Sequence, residues 1–167
     1  MILAELTDPF HVTAGYTGRP GDRTFYLQAE DEDHRVTVKL EKLQVDALAH
    51  VLVDLLATLD DEPVTDWDRD AMALHVPIEP VWTVGEIRTA IDDRTQSIIV
   101  EVAELAPEDE EPEVVRVWLD RDAARRLAAH AIEIVAEGRP RCHLCGRPEE
   151  DGGHVCPALN GHGRLTG

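Results

Sequence analysis

The segment VTVKLEKLQVDALA, residues 36–49, changes its hydrophobic period halfway along. Val36, Val38 and Leu40 alternate with polar residues, which places all three on one face of a strand. Beyond them the apolar residues recur every three or four positions, as they do in a helix with one apolar face. The segment VRVWLDRDAARRLA, residues 115–128, repeats this change of period. The chain is therefore predicted to pass from a strand into a helix twice.

Two further strands precede each of these segments. Phe25 and Leu27 alternate with more polar neighbours in the first half of the chain, and residues 98–102 have the same period in the second half. The intervening stretches GRPGD (18–22) and IDDR (91–94) contain residues that favour turns. The sequence thus predicts an internally duplicated β-β-β-α unit. Repeat one spans 10–59 and repeat two spans 81–138.

These elements predict an α+β fold. We expect one antiparallel sheet of about six strands with both helices packed on one face, arranged with pseudo-two-fold symmetry. Asp120 is expected to be the N-cap of the second helix. The acidic, proline-marked segment 59–82 is expected to connect the repeats. The duplicated domain is predicted to span 1–138, followed by a small zinc-knuckle tail at 139–167. The apolar stripes of the helices are predicted to be Val45, Leu48, Ala49, Leu52, Leu55, Leu56 and Leu59 in the first, and Ala124, Leu127, Ala128, Ala131, Ile134 and Val135 in the second.

The composition limits the partners and the compartment. The 34 acidic residues against 16 Lys and Arg give a net charge of −18, which opposes approach to a phosphate backbone. We therefore expect no nucleic-acid partner, although four arginines of the tail leave that possibility open for the tail itself. The sequence has no apolar run long enough to span a membrane and no basic-flanked secretory signal. We expect a cytoplasmic protein without membrane contact, in which cysteines stay reduced.

The tail segment RCHLCGRPEEDGGHVCP, residues 141–157, contains all the cysteines of the chain. A CxxC pair followed by a histidine and a third cysteine provides the four thiolate and imidazole ligands that close a tetrahedral zinc site. The predicted zinc ligands are Cys142, Cys145, His154 and Cys156. Because all four positions are filled by protein, we expect the zinc to be structural.

Other interpretations of the tail remain open at this stage. His162 is an alternative fourth ligand, and the cysteines could be reduced thiols that bind no metal. A catalytic zinc would need an open position beside a carboxylate. The acidic residues 149–151 lie on a short glycine-flanked turn, where solvated side chains are the simpler expectation.

Few residues outside the tail indicate chemistry. The chain has no glycine-rich phosphate loop, nucleophile elbow or HExxH motif, which favours binding over catalysis. The tripeptide Asp-Arg-Thr occurs at 22–24 and again at 93–95, and it is either a turn element or a duplicated ligand site. The histidines upstream of the tail show no helical pairing and are expected to act separately. Trp118, together with Ile99 and Tyr26, is expected to line an apolar helix-free side of the sheet that needs a partner, either the tail or a second subunit.

Three stretches resemble a known family. They are GYTGRPGDRTFYLQAE (15–30), LEKLQVDALA (40–49) and CHLCGRPEEDGGHVCPALNGH (142–162). Together they resemble the actinobacterial domain-of-unknown-function family 3090, over nearly the whole chain. The resemblance implies the tail ligands Cys142, Cys145, His154 and Cys156. It also implies a gene trio with a histidine-phosphatase-like and a kinase-like protein, and hence association in a shared pathway or complex.

We expect a cytoplasmic binding or scaffold protein that is stabilised by a structural zinc in its tail. Its partner would be another protein or further copies of itself. The alternative is an enzyme or small-molecule-binding protein that acts on phosphorylated or nucleotide-like ligands, with a pocket lined by Asp22, Arg23, Asp93 and Arg94.

Overall fold

The computed structural model describes residues 1–137, 142–145 and 155–158. Its secondary structure is mixed, with seven strands and two α-helices in the described part of the chain. The α+β class and the two helices are therefore as predicted. In chain order the elements are β1 Ile2–Leu6, β2 His11–Arg19, β3 Asp22–Glu30, β4 Arg35–Leu40, α1 Lys42–Thr58, a 3-10 turn Asp70–Met72, β5 Val84–Ile91, β6 Ile98–Glu104, β7 Val114–Leu119 and α2 Arg121–Ala136.

The strands form two sheets instead of the single sheet that we expected. One contains β2, β3 and β4, and the other has the order β1-β7-β6-β5. The sheets meet at a single bridge between Lys39 and Thr83, where the Lys39 N–H donates to the Trp82 carbonyl over 2.9 Å. The Val81 N–H also donates to the Thr37 carbonyl over 2.9 Å, so the segment that enters β5 is bonded to β4 at two positions.

Strand β1 is a second difference from the prediction. It pairs in parallel with β7, whereas the other strand pairs within both sheets are antiparallel. The order of elements β2-β3-β4-α1 recurs as β5-β6-β7-α2. The common origin of these two units, and the domain boundary at residue 138, stay predictions.

The two helices pack against each other and against the apolar inner faces of the strands. Most residues of the two predicted apolar stripes are buried, and Leu55 and Leu59 are partly buried against the same core. The Asp120 carboxylate accepts the Ala123 N–H over 2.7 Å, so Asp120 is the N-cap of α2 as predicted. The Glu41 N–H donates to the Gln44 side chain over 2.8 Å and fixes the start of α1. Local sequence signals therefore set where each helix begins.

The part of the connector that contains Met72 and His75 lies across the outer face of the first sheet. The Gln28 side chain accepts the His75 N–H over 2.7 Å and donates to the His75 carbonyl over 3.0 Å. Thr13 donates from its hydroxyl to the Met72 carbonyl. As a result Thr13 and Gln28 are fully buried although both are polar. This part of the connector thus covers a sheet face.

Among the described residues, no helix combines the length and the apolar character that crossing a membrane requires.

Candidate metal centre

Three thiols converge in the tail. The Sγ atoms of Cys142, Cys145 and Cys156 all lie within 4.8 Å of one another. Cys142 and Cys156 are buried, and Cys145 is half-buried. The structure therefore brings together three of the four residues that we predicted to ligate zinc.

The spacing of the sulfurs suits coordination of one ion. A tetrahedral site with metal–sulfur bonds of about 2.3 Å places its sulfurs about 3.8 Å apart. The Cys142 and Cys156 sulfurs are 3.6 Å apart, close to that edge length. The same distance is far longer than the roughly 2.05 Å bond of a disulfide. The arrangement can therefore hold a metal ion with little rearrangement of these two side chains.

The turn that follows Cys142 also favours the ligating form of its thiol. The backbone N–H of Cys145, and after it that of Leu144, donates to Cys142 Sγ and holds the pKa of this thiol below its usual range. Residues 143–145 form a turn that directs these amides at the sulfur. Hydrogen bonds of this kind stabilise a thiolate, which is the form that binds metals.

The fourth ligand is not part of this geometry. His154 lies outside the described residues, and so does the alternative ligand His162. The acidic residues 149–151 lie outside them as well. The assignment of His154 as the fourth ligand and of zinc as the metal therefore stays a prediction.

A protein-family model covers both the body of the chain and its cysteines. A family model with the description "Protein of unknown function (DUF3090)" matches residues 5–156. The chain belongs to this family. The matched range includes both helices and all three cysteines, so the resemblance found in the sequence is confirmed. Comparisons with curated proteins and with solved structures give no significant match.

The doubled Asp-Arg-Thr tripeptide has roles within the fold of this DUF3090 protein. Arg23 donates to the Ile134 carbonyl over 3.0 Å, which attaches the end of α2 to β3. Its guanidinium also lies 4.8 Å from the ring centroid of Tyr16 and 4.9 Å from that of Phe25. These contacts agree with a structural role for the tripeptide. They also engage the Arg23 side chain, which the predicted pocket for phosphorylated ligands would need for its ligand.

In the second copy of the tripeptide, residues 93–95, the turn is closed by the preceding residue, Asp92. The Asp92 carboxylate accepts the backbone N–H of Arg94 over 2.9 Å and that of Thr95 over 3.4 Å. These bonds hold the pKa of Asp92 below its usual range, the Arg94 amide contributing most. The aspartate that closes this turn is therefore Asp92, the residue before the tripeptide.

Within the described part of the chain, no segment covers the outer face of the second sheet, unlike that of the first. Trp118 lies opposite Ile99 in the register of β7 and β6. Both line a shallow cavity of about 440 Å³, together with Arg88, Glu101 and Arg116. Tyr26, which we expected beside them, belongs to the other sheet. The apolar helix-free surface therefore exists, but it is smaller than predicted.

A cluster of titratable residues in the described part of the chain was not predicted from the sequence. The rings of His11 and His75 stack, and His75 Nδ1 lies 2.8 Å from the Glu30 carboxylate. Arg35, and after it His75, hydrogen-bonds to Glu30 and lowers the pKa of its carboxyl to about 2. Burial, followed by the neighbouring His75, lowers the pKa of His11. The two histidines are far apart in the sequence and carry no shared motif, so no local pattern predicts their contact.

Proposed function

We propose that this chain is a cytoplasmic binding or scaffold protein whose tail, 139–167, is ordered by a structural zinc ion. The ligands in this proposal are Cys142, Cys145 and Cys156, with His154 as the fourth. The observation that carries the proposal is the convergence of three thiols within 4.8 Å of one another.

The choice of zinc follows from the chemistry of the ligands. Three soft thiolates and an imidazole form a common tetrahedral zinc set, and a site closed by four protein ligands is structural. A short tail with few large apolar side chains gains its order from the bound ion, because the free energy of metal binding becomes free energy of folding. The body has its own apolar core, which draws its described residues from positions 4–135. The ion therefore orders the tail and leaves the body to fold by itself.

The binding role is supported by the open outer face of the second sheet. The connector covers the corresponding face of the first sheet, whereas Ile99 and Trp118 lie on a face that no described segment covers. Apolar side chains gathered on an open sheet face favour association. The partner in this proposal is a second copy of the chain or another protein, with no membrane and no nucleic acid involved.

Metal analysis of the purified protein tests the zinc site. We expect one zinc per chain in the wild type and loss of that zinc in Cys142→Ser. His154→Ala should also lose zinc, while His162→Ala, as the matched control, should keep it. Absence of zinc from the wild type, or full occupancy in Cys142→Ser, would show that the proposal is wrong. Loss of zinc in His162→Ala but not in His154→Ala would identify His162, and not His154, as the fourth ligand.

A further inference from the structure

The outer face of the second sheet carries a row of charges that alternate in sign. Across the strands in the order β1-β7-β6-β5, the row consists of Glu5, Arg116, Glu101 and Arg88. Neighbours in the row form ion pairs, because Arg116 reaches Glu5 at 3.1 Å and Glu101 at 2.6 Å. Arg88 reaches Glu101 at 3.4 Å. The row therefore has no net charge, whereas the whole chain has a net charge of −18.

Apolar residues lie on both sides of this row. On one side Ile99 of β6 is opposite Trp118 of β7, and on the other side Ala103 of β6 is opposite Val114 of β7. They share the outer face with the charges because every second residue of a strand points to the same side. All four are half-buried in the single chain. Each apolar pair thus has one member on each of the two central strands.

The order of the charges is complementary to itself in one arrangement. Two copies can pack these faces together about a two-fold axis that runs along the strands, between β6 and β7. This axis places Arg88 opposite Glu5 of the second copy, and Arg116 opposite Glu101 of the second copy. An axis along the row would instead place each charge opposite the same charge of the other copy, which is repulsive. The alternation therefore selects one of the two ways to stack the sheets.

The same axis also matches the apolar residues. It places Ile99 opposite Trp118 of the second copy and Ala103 opposite Val114 of the second copy, and each of these contacts occurs twice. Aligned sheets cross at about 30°, which displaces the ends of the row by less than the ~4.8 Å between strands. An unrelated partner would not require charges and apolar residues to be arranged about one centre. This symmetry favours a second copy as the occupant of the face.

We propose that the protein forms a two-fold dimer through the outer faces of its second sheets. The proposal rests on the binding role proposed above and names the partner as a second copy of the chain. The charges of the row are already paired within each copy, which limits the cost of removing them from water. Opposite charges of the second copy then fix the register of the two sheets.

Charge reversals at the two ends of the row test this arrangement. The side chains of Glu5 and Arg88 are 43% and 64% exposed, so Glu5→Arg and Arg88→Glu should both fold. Each variant alone presents like charges at both ends of the dimer, and its self-association should weaken on the order of tenfold. An equimolar mixture should recover association as a mixed dimer, because both ends then join opposite charges. Sedimentation velocity measures the association, and native mass spectrometry identifies the mixed dimer.

The matched controls are Asp54→Arg on α1 and Arg19→Glu at the end of β2. They make the same changes of charge at exposed positions away from this face. Both should associate like the wild type, alone and mixed. Overall repulsion cannot produce the expected result, because Glu5→Arg makes the chain less acidic and Arg88→Glu makes it more acidic. Only a specific contact weakens both variants and recovers in their mixture.

Three outcomes would overturn the proposal. A wild type that is monomeric at every concentration would exclude the dimer, but another protein could still occupy the face and the zinc analysis would be unaffected, so the two proposals fail separately. A dimer that neither charge reversal weakens would exclude this register. Weakening of both variants without recovery in the mixture would exclude the two-fold arrangement, provided that their circular dichroism spectra match the wild type.

Discussion

The imidazole rings of His11 and His75 stack with their centroids 3.9 Å apart and their planes 8° apart. His11 begins β2, whereas His75 belongs to the connector, so the stacked pair fastens the connector to the outer face of the first sheet. The charged groups that face this pair are Glu30, which hydrogen-bonds to His75, and Arg35, which pairs with Glu30 over 2.9 Å. Gln28 adds the two backbone hydrogen bonds to His75. The connector is therefore attached at a site that responds to protonation.

The free energy of unfolding should decrease as the pH falls below about 6.5. Burial, and after it His75, lowers the folded pKa of His11 from its ordinary value of 6.5, so the unfolded chain takes up this proton first. The stability that neutral His11 provides is present above 6.5 and is lost on acidification. Glu30, whose folded pKa is about 2 against an ordinary 4.5, adds a second loss that begins near pH 4.5. Urea unfolding at a series of pH values between about 2.5 and 8 measures both.

The variant His11→Phe separates the histidine contribution from that of the many acidic side chains. Phenylalanine keeps a ring against His75 and removes the titrating group. Just below pH 6.5 its unfolding free energy should fall less steeply than that of the wild type, by up to about 1.4 kcal/mol per pH unit. If the unfolding free energies of the two proteins changed in parallel with pH, His11 would not be the titrating group.

Gln28→Met should destabilise the protein by about 2–4 kcal/mol. The Gln28 side chain is fully buried and satisfies both the N–H and the carbonyl of His75. Methionine fills a similar volume but leaves these two backbone groups without partners. The matched control is Gln96→Met, the same change at an exposed turn position, which should alter the unfolding free energy by less than about 0.5 kcal/mol. Equal effects of the two substitutions would be inconsistent with this role.

Gly15→Ala should lower the unfolding free energy by about 1–3 kcal/mol through overpacking. A Cβ atom at Gly15 would come within 2.6 Å of Leu74 Cγ and 2.7 Å of its Cδ1. The connector would have to move away from β2. In a Leu74→Ala background the same glycine substitution should cost much less, because the clashing side chain is gone. Thermal or urea unfolding of the four proteins gives the coupling energy, and additive effects would refute the contact.

Removal of the proposed zinc should leave the body of the protein folded. The described core residues lie at 4–135, and Cys142, Cys145 and Cys156 do not belong to that cluster. A chelator should therefore release the metal and change the environment of the tail while the far-UV circular dichroism and the unfolding midpoint change little. Cys145→Ser should behave as the chelated wild type does. Loss of the whole fold on chelation would instead make the metal part of the core.

The sequence predicts elements that leave a local periodic signal. The strand period around Phe25 and Leu27 and the apolar stripe of α2 are visible within short windows, and both are buried as expected. The pairing of β1 with β7 joins segments from opposite ends of the chain, and neither segment specifies its partner. The division of the strands into two sheets, which are linked at Lys39 and Thr83, depends in the same way on contacts between distant segments.

The candidate sites, too, are predictable from the sequence only where their residues lie close together along the chain. Cys142, Cys145 and Cys156 lie close together in the sequence with a familiar spacing, so their convergence is predictable. The contact of His11 with His75 depends on the path of the connector, which composition alone describes as an acidic solvated loop. Predicting it would require knowing that Gln28, which lies between Leu27 and Ala29 in β3, binds the connector backbone.

Trp118→Glu should prevent self-association without unfolding the protein. Trp118 is half-buried on the outer face of the second sheet, beside Ile99, and its neighbours Arg88, Glu101 and Arg116 carry both signs of charge. A face of this kind can approach a second copy with less repulsion than the rest of an acidic chain. Sedimentation velocity over a range of concentrations should show association of the wild type and a monomeric variant. Val51→Glu, at an exposed apolar position of α1, is the matched control and should associate like the wild type. A wild type that stays monomeric at every concentration would exclude the second copy as the partner of this face.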